Sequence, residues 1–155
     1  MEPRIRLYRP GDEAAAAQVA VAGFEQSIRQ HYSAEGVAAF LAYIFPASIA
    51  ERQQNGCQMA VAELDGDIVG VVELRDFEHV SMLFVLPEFQ CCGIARRLLA
   101  RMVSLQKKVR PEVKQLTVFA APGAVEAYRH LGFLPDGAER AEAGIRFFPM
   151  KMELK

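Results

Sequence analysis

The stretch from His79 to Val109 constrains the fold more than any other part of the chain. His79 to Leu86 is continuously apolar or small, as in a strand covered on both faces. From Gly93 onward, Ile94, Leu98, Leu99, Met102, Val103 and Val109 keep helical spacing, while Arg96, Arg97, Arg101, Lys107 and Lys108 lie off that stripe. A buried strand therefore feeds an amphipathic helix across a short turn. At such a junction the first backbone N–H groups of the helix lack intrahelical partners, and the helix dipole adds about half a positive charge.

The remaining segments fit one mixed α/β domain over residues 1–155. Ile5 and Leu7 alternate with polar neighbours as a first strand, and Asp12 is placed to cap an Ala-rich helix that reaches about Arg29. Ser33 and Gly36, followed by Val37, Phe40, Leu41 and Ile44, read as a second helix, and Pro46 opens a further turn or helix to Gln54. Cys57–Leu64 and Asp67–Leu74 flank Asp65-Gly66, a pair that tolerates positive φ at both positions and so predicts an antiparallel hairpin. Leu116–Ala120 reads as a strand, Pro122 as the first turn of a helix, and Gly132 as its left-handed cap with Phe133 packing back. The tail from Gly144 to Leu154, with Leu134–Ala138, should finish the sheet. The expected fold is a mixed α/β sheet of six to seven strands with about four helices.

A net charge of −1 supplies no long-range field to draw in nucleic acid or an anionic membrane, so any phosphate site must be local. No apolar run approaches the roughly 20 residues that span a bilayer. The three cysteines are too few for a disulfide scaffold, and Cys91 and Cys92 are adjacent. A reduced, cytoplasmic protein is expected, and no Cys/His spacing points to a metal.

At the strand-helix junction the turn reads Gln90-Cys91-Cys92-Gly93-Ile94-Ala95, a Gln-x-x-Gly-x-Ala sequence whose small residues at 93 and 95 let a diphosphate approach the free amides. Ahead of it the strand ends in Val85-Leu86-Pro87-Glu88-Phe89, and behind it a second strand-helix unit ends Ala127-Tyr128-Arg129-His130-Leu131-Gly132-Phe133. Together these segments, from about Val61 to Phe133, resemble the GNAT superfamily, the Gcn-related N-acetyltransferases. The opening from Arg4 to Asp12 is similar to that family's first strand.

The resemblance implies a GNAT acyl-CoA N-acyltransferase fold in which the fourth strand splays from the fifth and pantetheine lies in the gap. Carried over, Leu83, Phe84 and Val85 would meet pantetheine, and Gln90, Cys91, Cys92, Gly93, Ile94, Ala95 and Arg96 the pyrophosphate. The backbone N–H near Leu83 or Phe84 would polarise the thioester carbonyl. Tyr128 stands where the family often has a tyrosine near the CoA sulfur. Two departures stand out: Ala121-Pro122 replaces an asparagine that many relatives use on the cofactor, and Cys91 and Cys92 replace basic or small loop residues.

Acetyl transfer needs the neutral amine, which is only about one part in 10³ for a pKa near 10.4 at pH 7. His79 is the leading candidate base, because some relatives carry a glutamate base at its place and an ordinary imidazole pKa suits the task. Glu73 and Glu78 are alternatives, and Tyr128 is the candidate acid. His31, Tyr32, Phe24, Phe40, Tyr43 and Phe45 lie in the part of the chain that usually builds the acceptor pocket, though aromatics at helical spacing also serve as core. The expected activity is transfer of acetyl from acetyl-CoA, with no metal, to a primary amine of a small molecule or peptide. The alternative is a catalytically weak or silent CoA-binding module. No nucleic-acid or membrane partner is expected, and a homodimer is compatible with such folds.

Overall fold

The computed structural model describes residues 2–155; Met1, the first residue of the expected domain, lies outside them. The elements in chain order are β1 (Arg4–Leu7), α1 (Glu13–Ser27), α2 (Ala34–Tyr43), α3 (Pro46–Gln54), β2 (Cys57–Leu64), β3 (Asp67–Arg75), β4 (His79–Val85), α4 (Ile94–Val109), β5 (Gln115–Ala120), α5 (Val125–Leu131), β6 (Leu134–Pro135), β7 (Arg140–Glu142) and β8 (Ile145–Glu153). Short 3₁₀ turns occupy Arg29–His31, Pro87–Phe89 and Pro122–Ala124. The sheet runs β1-β2-β3-β4-β5-β8-β6, with β7 paired to β8. Every pairing is antiparallel except β4 with β5.

Two apolar cores lie on opposite faces of this sheet. On one face α4 sets Ile94, Leu98, Leu99 and Met102 against Val72, Leu74, Leu116, Val118 and Phe133. On the other, α1 and α3 set Ala16, Ala20 and Ile49 against Val61, Val71 and Met82. The small residues of α1 let it lie close to the strands. Gly23 completes that surface, because a Cβ there would stand 2.4 Å from Cδ1 of Phe84.

Several local expectations hold. Ser33 caps α2 by accepting from the Gly36 amide at 3.2 Å. Asp65 (φ 53°) and Gly66 (φ 86°) turn the β2–β3 hairpin with positive φ at both positions, and Gly132 caps α5 at φ 109°. Asp12 precedes α1 but does not cap it: its carboxylate is taken by Arg6 at 2.8 Å and by the Arg9 amide at 2.7 Å. Pro122 starts a 3₁₀ turn rather than α5 itself.

The element count exceeds the expectation. Among the described residues eight strands form in place of six to seven, and five α-helices in place of about four. The unforeseen strand β7 is Arg-Ala-Glu, exposed throughout, so it carries no apolar alternation. The turn joining it to β8 places Ala143 at φ 51° before Gly144 at φ 79°, and alanine gives no turn signal. No single helix among the described residues is long and apolar enough to cross a membrane.

Gly23→Ala should cost about 1–3 kcal/mol of stability, the usual range for overpacking. The new methyl cannot be accommodated unless the Phe84 ring moves. Urea unfolding of the two proteins measures the loss.

Candidate functional site

The sheet opens along the one parallel pairing. β4 and β5 are in register only at His79–Thr117 and Val80–Val118, although β4 continues to Val85 and β5 to Ala120. Beyond Val80 the two strands part and leave a wedge whose mouth faces the N-terminus of α4.

A bulge in β4 sets what this wedge presents. Leu74 pairs with Val80 and Glu73 with Met82, so Ser81 is the extra residue. Val80 packs in the α4-side core while Met82, two residues later, packs on the α1 side. An unbulged strand would keep both on one face. The Leu86 amide donates to the Val69 carbonyl of β3 at 2.9 Å. By alternation the amides of Phe84 and Met82 also face β3, and those of Leu83 and Val85 face the wedge. Of the two expected oxyanion donors, Leu83 is therefore the one turned into the opening. The Val85 carbonyl faces the same way and accepts from Nε2 of Gln90 at 3.0 Å.

Glu73 holds the bulge in place. Its carboxylate is fully buried and accepts from the Ser81 hydroxyl and Gln53 Nε2, both at 2.6 Å, from Tyr43 OH at 3.1 Å, and from Arg52 Nε at 3.3 Å. The Arg52 guanidinium lies 3.5 Å from the centre of the Tyr43 ring. This corrects the expectation of Glu73 as an alternative base: with every approach taken by a side chain, a substrate amine has no path to it.

The turn after β4 carries the features a bound anion requires. Cys91 (φ 61°) and Gly93 (φ 80°) are both left-handed, and Gly93 is the N-cap of α4. The space beside Gly93 is open, since a Cβ there would meet nothing within 4 Å. Among the described residues, no backbone N–H from Cys91 to Arg96 donates to a protein acceptor. Cys91 and Cys92 are exposed free thiols. The side chains of Gln90 and Arg96, though exposed, are tied back to the protein. Gln90 Nε2 also donates to Oε1 of Gln26 on α1 at 3.0 Å, and Arg96 donates to the carbonyl of His130 on α5. Backbone amides, including those of Ile94 and Ala95, are thus what this loop offers.

Tyr128 is half-buried on α5, edge-on to Phe133 at 5.5 Å. Burial pushes its phenol pKa up, so it keeps its proton at neutral pH. His79 sits at the closed vertex of the wedge, with Nδ1 2.7 Å from the Thr117 hydroxyl and its ring 4.5 Å from Phe119. Burial, and then the nearby Arg75, lower its pKa to about 4. The imidazole is neutral at pH 7 but is a weak proton acceptor, and it stands four residues from Leu83, about 13 Å along the strand. His31 lies at the mouth instead, with Nε2 3.8 Å from where a Gly123 Cβ would be. No sequence signal joins residues 31 and 123, and Ser81 likewise carries none inside a continuous apolar run. Phe24, Tyr32, Phe40 and Phe84 pack ring to ring at 4.5–6.3 Å and wall the α1 side.

Comparison with known proteins gives a consistent picture. A family model described as an acetyltransferase (GNAT) domain matches residues 28–154. The chain is 28% identical over 139 residues to the uncharacterized N-acetyltransferase YafP of Escherichia coli (strain K12), covering 90% of this chain and 86% of that one. Among solved structures, a GCN5-related N-acetyltransferase from Rhodopseudomonas palustris superposes with a TM-score of 0.82 at 26% identity, covering 99% of this chain and 97% of that one. The PaiA N-acetyltransferase of Thermoplasma acidophilum, in complex with coenzyme A, superposes with a TM-score of 0.81 at 18% identity over 99% of each chain.

The lowered pKa of His79 has a consequence for stability. The unfolded chain takes up the proton near pH 6.5 and the folded chain only near pH 4. The stability that neutral His79 contributes is therefore complete above pH 6.5 and lost as pH falls through that window. Denaturant titrations at pH 7 and pH 5 should show the wild type losing more stability than His79→Gln.

Proposed function

The chain belongs to the GNAT acetyltransferase family, and from that premise we propose that it moves an acetyl group from acetyl-CoA to a primary amine of a small molecule or peptide by direct attack in a ternary complex. It is an acetyl-transferring enzyme; the donor, the acceptor class and the route are our reading. The observation that carries the reading is the run of unpartnered amides from Cys91 to Arg96 at the mouth of a wedge between parallel strands. Coenzyme A in the similarly folded Thermoplasma PaiA protein supports the choice of donor.

In this reading the diphosphate rests on the loop amides at the positive end of α4. Pantetheine runs into the wedge beside Leu83 and Val85, whose polar backbone groups β5 leaves free. The thioester carbonyl accepts a hydrogen bond from the Leu83 amide, a donor already oriented by the strand; losing one such donor typically costs 10²–10³-fold in rate. The acceptor amine must first shed its proton, at about 4.6 kcal/mol for a pKa of 10.4 at pH 7. With a pKa of about 4, His79 orients the acceptor or a bridging water rather than carrying that proton away. The amine, having released its ammonium proton to solvent, forms its bond to the carbonyl carbon, and the carbon–sulfur bond breaks. Tyr128 passes its proton to the leaving sulfur, and the proton shed by nitrogen as it becomes an amide restores the phenol through water.

The absent asparagine gives the rival reading, a silent CoA-binding module, a specific basis. Ala121 is buried and its carbonyl is taken by the Ala124 amide at 2.8 Å. Thiol release in the presence of an amine panel separates the two. Tyr128→Phe should lower kcat by roughly 10²-fold, within the range of acid–base effects, while leaving acetyl-CoA affinity unchanged. Binding with no amine-dependent release, together with no loss on Tyr128→Phe, favours the module.

Gly93→Ala should weaken acetyl-CoA binding about tenfold in calorimetry. An L residue in the left-handed region costs about 1–2 kcal/mol, and relief of that strain turns the amides away.

A further inference from the structure

The helices α1, α2 and α3 cover only part of their face of the sheet. Over β5 and β8 the same face is closed by the segment from Asp136 to Arg140, leaving a cavity of about 410 Å³. Its lining includes Thr117, Phe119, Pro149 and Arg140. Phe119 is the first β5 residue past the last β4–β5 pair, so it stands at the vertex where the wedge opens. Its side chain lies opposite the α4 face, because Val118 and Ala120 are buried there.

A phenylalanine 48% exposed at that vertex calls for an explanation. Its ring packs 4.5 Å from His79 on one side and 4.5 Å from Phe147 on the other, giving a continuous aromatic floor. The acidic groups around it are already engaged: Asp136 with Lys151, Glu139 with Arg146 at 2.7 Å, and Glu142 with Arg140. A polycation such as a polyamine needs several free carboxylates, and this rim offers paired ones. A single ammonium on an aromatic body needs only a flat apolar platform and one polar exit. Past the last pair, Val80–Val118, Leu83 is three residues along β4 and Phe119 one along β5; with Ser81 as the extra bulge residue their offset along the strands is one to two residues, about 3–7 Å. The ring centre and nitrogen of a 2-arylethylamine are about 5 Å apart by standard bond lengths, within that range.

Resting on the acetyl-transfer reading above, we propose that the trough over Phe119 seats the aromatic body of the acceptor, and that the amines acetylated are small 2-arylethylamines. The ring stacks on Phe119 between His79 and Phe147, and the amine reaches toward Leu83. The neutral imidazole of His79 adds no positive charge, and the Arg140 guanidinium at the rim, 5.4 Å from the centre of the Phe147 ring, is paired with Glu142.

The test compares kcat/KM for 2-phenylethylamine, n-hexylamine, spermidine and an alanine-initiated tripeptide, using thiol release from acetyl-CoA. The arylethylamine should exceed hexylamine and spermidine by at least about tenfold, in line with one aromatic contact plus burial of a ring. Phe119→Ala should collapse that preference and Phe119→Leu should restore only part of it; both change a half-exposed side chain, and their unfolding curves check the fold. Equal or better rates with spermidine, hexylamine or the peptide overturn the proposal, as does a Phe119→Ala effect of the same size on every amine. If no amine is turned over, the acetyl-transfer reading fails, and calorimetry of 2-phenylethylamine with the CoA-loaded protein then decides the trough separately. Saturable binding abolished by Phe119→Ala upholds it, and no binding overturns it.

Discussion

Everything at the wedge depends on one buried carboxylate. Stripping water from Glu73 is costly unless its oxygens are fully satisfied, and four neighbouring side chains satisfy them. One of those donors is the hydroxyl of Ser81, the residue that the bulge inserts into β4. The ion pair with Arg52 thus fixes where the strand changes face. It thereby fixes which amides β4 shows to β3 and which to the opening. A fully enclosed charge sets which backbone groups line the opening.

The two halves of the site are built from different materials. In the proposed reading the donor half is backbone: a left-handed turn, the first amides of α4 and the part of the β4 edge that β5 leaves open. Such groups tolerate side-chain exchange, which is why two cysteines can occupy the loop and an alanine the usual asparagine position. The proposed acceptor half is side chain: the aromatic wall of α1 and α2, the Phe119 floor, His31 and His79. Recognition there follows the identity of each residue and is free to differ between chains of the same fold.

The sequence conveyed the donor half well, because glycine, proline and helical periodicity report directly on backbone geometry. The hairpin at Asp65-Gly66, the cap at Ser33 and the strand-helix junction at Gly93 are each local events with local signals. What it concealed was non-local. The bulge at Ser81 sits inside an apolar run, and its anchor Glu73 lies on another strand. His79 looks like a free strand-end imidazole until Thr117 and Phe119 are seen to bury it. Strand β7 is three polar residues held only by pairing with β8, and the approach of His31 to Gly123 spans most of the chain.

The bond from Arg96 to the His130 carbonyl has a mechanical meaning. Arg96 belongs to the first turn of α4, and His130 closes the short helix that bears Tyr128. A guanidinium that in isolation would be taken for a counter-ion acts here as a stitch between the first turn of α4 and the helix that bears Tyr128. Shortening that stitch would therefore be felt as a shifted hydroxyl before it was felt as a missing charge.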